Sequence, residues 1–229
     1  MKGQSFIGAL RTRCVQYASD YSLVLSHPKR FNDYRAANIS GSIPRASYFL
    51  AVSLALAIVL SPLLLPPEAF QWKFAAAYVV LDLLAFVVSA LALRASWFFV
   101  GGRAPLKNLY LIFAYHYGVL VVWSTFVVWV FDIVVRIFDP GIYSALYNPD
   151  GTAGANSEMG SPVYLAALLI MYAGFLGMFA WLIVGWGAYR KLNGLSRRRS
   201  IFAFLIANAL AVVMGIVIST LETAILLPE

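Results

Sequence analysis

The 229-residue chain reads as an all-α polytopic membrane protein, a bundle of five transmembrane helices with an amphipathic helix ahead of them. Three observations predict this class. Hydrophobic residues make up 62% of the chain and charged residues 12%, where a soluble domain carries roughly half and about a quarter. The apolar residues fall into five long runs with almost no charge, each near the roughly 20 residues a helix needs to cross a hydrocarbon core. These runs are continuous rather than alternating, and lipid admits only helices or closed barrels, so a barrel is excluded.

The first element in chain order precedes the spans. Phe6, Leu10, Cys14, Tyr17, Tyr21 and Val24 recur at helical spacing with Arg11, Arg13, Gln16 and Asp20 between them. This predicts an amphipathic helix over residues 4–25, ended by Pro28. Phe6, Leu10, Arg11 and Arg13 are its candidate binding residues for a membrane or a partner, apolar groups entering the acyl boundary and cations facing anionic lipid. The competing reading packs the same stripe on the protein's own cytoplasmic loops. No charged n-region, short apolar core and cleavage site open the chain, so the N-terminus is expected to be retained. Asn32 to Ser42 reads as loop or a short helix. Residues 1–47 thus form a cytoplasmic N-terminal region and 48–229 the transmembrane domain.

The spans are Tyr48–Leu65, Phe74–Leu93, Leu109–Val135, Val163–Tyr189 and Ile201–Leu221, with Pro44 opening the first. Seven Lys and Arg precede the first span, three lie between the second and third, and five between the fourth and fifth, which puts fifteen of seventeen on one side. The positive-inside rule therefore predicts a cytoplasmic N-terminus and an external C-terminus. The same distribution assigns the net charge of +7 to the membrane surface rather than to nucleic acid. Asp139 to Pro162 reads as an external turn and loop rich in Gly, Pro and Asn.

Two sets of residues describe how such a bundle would pack. Ala203, Ala207, Ala211, Gly215 and Ser219 stand four apart along the fifth span and predict a seated stripe, with a homodimer seam as the second reading. Ser53, Ala57 and Ser61 in the first span, and Ala173 and Gly177 in the fourth, are shorter versions. Near the external face, Asp132, Arg136, Glu222 and Lys73 form a candidate ion-pair cluster.

Asp82 stands apart, because no Lys or Arg occurs at its depth in any span; its candidate partners are His116 and Asn208. A carboxyl there must neutralise or be hydrogen-bonded. It is read either as a proton or substrate site or as a protonated packing group.

Catalytic constellations are missing from the sequence. There is no nucleophile elbow, HExxH or Gly-rich phosphate loop, and Ser124 lies about 80° round the helix from His116. A single cysteine, Cys14, forms no internal disulfide. No enzyme, cofactor or metal is predicted.

Pro28 and Phe31, Pro44 and Phe49, and Gly101-Gly102 followed by Pro105-Leu-Lys-Asn-Leu-Tyr-Leu-Ile-Phe-Ala-Tyr115 carry a resemblance. The chain resembles the bacterial branch of the Yip family, the Ypt-interacting proteins, over roughly residues 20–225. The resemblance implies an inner-membrane protein without chemistry of its own that binds other membrane components, as an accessory subunit or a membrane-organising factor. Its partners would be the lipid bilayer and other membrane proteins. The Asp-Leu-x-Gly-Pro signature of eukaryotic members is absent, so no Rab-type GTPase is implied. A small proton-coupled transporter or channel using Asp82 and His116 is the alternative.

The cation asymmetry yields a direct test. A reporter active only in the cytoplasm should work when fused at residue 1 and be silent when fused after Glu229. Activity at the C-terminal fusion would sink both the span count and the orientation.

Overall fold

The computed structural model describes residues 6–30, 39–60, 72–147 and 161–226, and every regular element among them is an α-helix. Seven described helices follow in order: α1 (Phe6–Ser26), α2 (Ile39–Leu60), α3 (Trp72–Phe99), α4 (Leu106–Phe138), α5 (Pro140–Tyr147), α6 (Pro162–Asn193) and α7 (Arg197–Leu226). Four of them contain described stretches long and apolar enough to cross a membrane: Ile43–Leu60 in α2, Leu106–Phe138, Pro162–Asn193 and Arg197–Ile218 in α7. The fold is that of a membrane protein. The sequence reading of five spans included α3, a continuous helix of 28 residues whose described apolar stretch, Leu83–Phe99, is shorter than the other four.

The helices outrun the apolar runs because helical hydrogen bonding does not stop where hydrophobicity does. α2 begins at Ile39, so Pro44 lies inside it rather than opening it. Only one backbone bond is lost there, close to the helix start where it matters least. Between Asp139 and Pro162 the chain is not all loop: Pro140–Tyr147 forms α5. Asp139 nucleates it, its Oδ1 accepting from the Ile142 backbone N–H at 3.2 Å. Ser161 donates to the Asp139 carboxylate and accepts from Tyr164 N at 3.1 Å, capping α6 and tying its start to the end of α4.

α4 is the central helix, packed against α2 on one side and α6 on the other, while α3 pairs with α7. Close approach of α4 to its neighbours depends on glycine. A Cβ at Gly118 would lie 2.8 Å from both Phe49 Cε1 and Ser53 Oγ on α2. On α6, a Cβ at Gly174 would meet Val127 at 2.7 Å, and one at Gly185 would meet His116 at 3.0 Å. Val127 and His116 are eleven residues apart on α4 and Gly174 and Gly185 eleven apart on α6. Eleven residues make about three turns, so two knobs on one face enter two notches on the facing one.

These contacts correct the expected seams. Ser53 and Ala57 are buried in α2, as a packing stripe requires; on α6 Ala173 is exposed, Gly177 lies beside Trp123 of α4 with room for a Cβ at 3.6 Å, and the tight approach is at Gly174 and Gly185. In α7 only the start of the stripe is seated. Ala203 is fully buried and Ala207 half-buried, whereas Ala211 and Gly215 are exposed, with open space where a Gly215 Cβ would be; the Ser219 side chain lies outside the described residues. The stripe side of the outer half of α7 is therefore open, and Val212, Val213 and Ile216 face outward, as lipid rather than water allows, while Met214 and Ile218 on the other face are half-buried.

At the cation-rich end, the turn from α3 to α4 is tightly bound. Gly101 adopts φ +89°, where a side chain would be strained. A Cβ at Gly102 would sit 2.6 Å from Asn193 Oδ1, the same oxygen that accepts from Ala104 N at 3.1 Å. Arg94 donates to Ala104 O at 2.8 Å. Trp97, fully buried, stacks on Trp186 at 4.9 Å and so joins the α3–α7 pair to α6.

Gly118→Ala should lower stability by about 1–3 kcal/mol, since the added methyl displaces Phe49 or Ser53. Gly215→Ala, with nothing to strike, should be neutral or stabilising by up to about 0.5–1 kcal/mol. Unfolding of both variants in mild detergent checks this; equal effects would refute the seam.

Candidate functional site

The C-terminal half of α1 is built into the bundle as a strap. Tyr17, Tyr21 and Val24 fall on one helical face together with Asp20, and Asp20 and Val24 are buried. The Asp20 carboxylate accepts from Arg45 Nε and Nη2 of α2, both at 2.6 Å, a bidentate pair. Nearby, Tyr17 shares a hydrogen bond of 3.0 Å with Ser53 and stacks on Phe49 at 5.0 Å.

The end of α1 is held by α4 and α6. A helix terminus leaves carbonyls unpaired, and here side chains from other helices supply donors. Trp181 Nε1 donates to Leu25 O at 2.8 Å. His116 Nε2 lies 3.3 Å from Pro28 O; a carbonyl only accepts, so Nε2 carries the proton. The His116 ring stands edge-on between Trp181 at 5.2 Å and Tyr189 at 5.3 Å, and its Nδ1 has no hydrogen-bond partner among the described residues. The glycine at 185 makes room for the ring. His116 thus serves as an anchor for the strap.

Of the expected polar trio, His116 is engaged with Pro28 O and Asn208 with its own helix. Asn208 donates to Phe204 O on its own helix at 2.7 Å. α3 meets α4 through Phe86 against Phe113 and Tyr117, a different face of α4 from His116. The Asp82 side chain lies outside the described residues. At the other end, Asp132 is buried and Arg136, exposed, lies over the Tyr143 ring of α5 at 5.9 Å. Burial raises the Tyr143 pKa, with Arg136 opposing and Asp132 adding to the shift. The side chains of Lys73 and Glu222 lie outside the described residues, as does that of Phe6.

Among the described residues the N-terminal half of α1 has no such seat. Leu10 is 51% and Val15 63% exposed; Arg11, Arg13 and Cys14 are exposed too, Arg13 reaching over the Tyr48 ring at 5.5 Å. The sequence reading placed Asp20 among the polar residues between the apolar ones and missed its pairing with Arg45. The signal was there: Asp20 sits three residues after Tyr17 and four before Val24, an acid on the apolar face that needs a cation.

Among the described residues no three His, Cys, Asp or Glu side chains group as metal ligands. The arrangement fixes a helix across the bundle through one buried ion pair and two hydrogen bonds to backbone carbonyls. No family model matches this chain, no curated protein does, and no solved structure does.

Removing Arg45 leaves the Asp20 charge buried. Arg45→Ala should cost about 3 kcal/mol, the low end of what a broken buried pair loses, because the guanidinium is 30% exposed. Protease should then cut within α1 while α4 and α6 stay protected. Burial also pushes Tyr21 from its ordinary value of 10.0 up to about 12, with Tyr17 adding. The docked state favours the neutral phenol, so this stabilisation is complete below pH 10 and is lost as pH rises through about 12. An α1 equally resistant to protease at pH 9 and pH 12 would count against the docking.

Proposed function

We propose that the chain is a five-span inner-membrane protein that works by binding other membrane components, as an accessory subunit or a membrane-organising factor. α3 enters as the fifth span: its 28 residues measure about 42 Å, ample for a core of about 30 Å. With five spans, the fifteen-to-two cation distribution favours a cytoplasmic N-terminus and an external C-terminus.

The observation that carries the reading is the half-docked α1. Its attachments lie at Phe49 and Ser53 on α2, His116 on α4 and Trp181 on α6. The Asp20–Arg45 pair ties α1 to the cation-rich end of α2. That attachment supports an α1 lying along the inner boundary, where Leu10 and Val15 would meet acyl chains or a partner helix and Arg11 and Arg13 would meet headgroups. A helix locked by one half and open on the other suits an adaptor. The Yip resemblance points the same way. His116, enclosed by Pro28, Trp181 and Tyr189, is better suited to anchoring than to carrying protons.

Cys14, the only cysteine and exposed, lies on the open half of α1 and accepts a photo-crosslinker without further engineering. In native membranes it should trap a discrete membrane protein in the accessory-subunit case, or lipid alone in the membrane-organising case. Proton-coupled flux by the pure protein in vesicles, abolished by Asp82→Asn with folding intact, would overturn the reading in favour of transport.

A further inference from the structure

We propose that the cleft between α6 and α7 at the cation-rich end is a binding site for an anionic phospholipid. α6 and α7 are joined by the tight turn at Gly194, whose φ of 63° reverses the chain, yet they splay apart because α7 turns away to pair with α3. The gap holds about 540 Å³, within the roughly 300–1,000 Å³ of small-molecule sites.

Its lining divides by chemistry. Lys29, Arg190 and Arg197 contribute cations from three separate segments, and among the described residues no carboxylate lines the cleft. Ile183, Val184 and Phe204 supply an apolar wall. Trp186 closes the base, donating from Nε1 to Ser200 O at 3.0 Å and so pinning α6 to α7 beneath the gap. The Lys29 stem lies along α6 because position 187 is glycine; a Cβ there would come within 3.3 Å of Lys29 Cε.

Three converging cations repel unless an anion sits among them. The repulsion is compounded by Arg198 and Arg199, which follow Arg197 in the first turn of α7, where the helix dipole favours negative charge and no acidic residue stands. An apolar wall continuous with outward-facing Ile183, Val184 and Ile201, which are 52%, 54% and 59% exposed, selects an anion that carries acyl chains. The phosphodiester would sit among the three cations and the chains would follow the groove between the diverging helices.

The inference rests on the membrane reading above, but not on any protein partner, so each can fail alone. The test uses the full chain in neutral detergent, with phosphatidylglycerol, phosphatidylcholine or inorganic phosphate added, read by native mass spectrometry and by thermal unfolding. Phosphatidylglycerol should remain bound and raise the midpoint, whereas phosphatidylcholine and inorganic phosphate should not. Arg190→Gln with Arg197→Gln should cut phosphatidylglycerol retention at least fivefold, and Lys29→Gln, on an exposed turn, should reduce it measurably. Arg103→Gln with Lys107→Gln removes equal charge away from the cleft and should leave retention unchanged. Equal retention of the two lipids, equal loss in the control pair, or full stabilisation by inorganic phosphate would each overturn the proposal.

Discussion

The bundle depends on how closely α4 approaches its two neighbours. In lipid no hydrophobic force draws apolar helices together, so association rests on van der Waals contact, which needs small residues at the seam. Gly118 admits Phe49 and Ser53, and Gly174 and Gly185 admit Val127 and His116. The matching eleven-residue separations on α4 and α6 set the register of the pair: a slip by one turn would drive both knobs into side chains instead of notches.

The same register creates the seat for α1. With His116 pressed into the Gly185 notch and flanked by Trp181 and Tyr189, its Nε2 reaches Pro28 O, and Trp181 reaches Leu25 O. Two helices of the bundle thereby cap the terminus of a third element. The Asp20–Arg45 pair fastens the strap to α2, so α1 touches all three helices of the central group. Its open half is then held at a fixed place instead of trailing from the membrane.

α3 and α7 form a second layer, attached by different chemistry. Trp97 on Trp186 and the Asn193 grip on the turn at Gly102 and Ala104 tie that pair to the end of α6. Farther out, one side of α7 is open, with Gly215 facing empty space and Val212 and Ile216 exposed. The pairing of α7 with α3 rather than with α6 also opens the cation-lined cleft. Fold and candidate lipid site therefore share one cause.

Hydropathy by itself determined that this is a helical membrane protein and where four of its apolar helices run, because the cost of placing a residue in lipid belongs to that residue alone. The helix over Phe6–Ser26 and its end before Pro28 were likewise legible from spacing and a proline. Only the tertiary structure decided which contacts matter. Gly174 and Gly185 are the tight notches and Ala173 and Gly177 are not, since a notch has meaning only opposite a knob. Asp20 acquires its role from Arg45, 25 residues away, and His116 from a carbonyl 88 residues away. Those are pairwise quantities, set by the direction and register of neighbouring helices, and no single position in the sequence carries them.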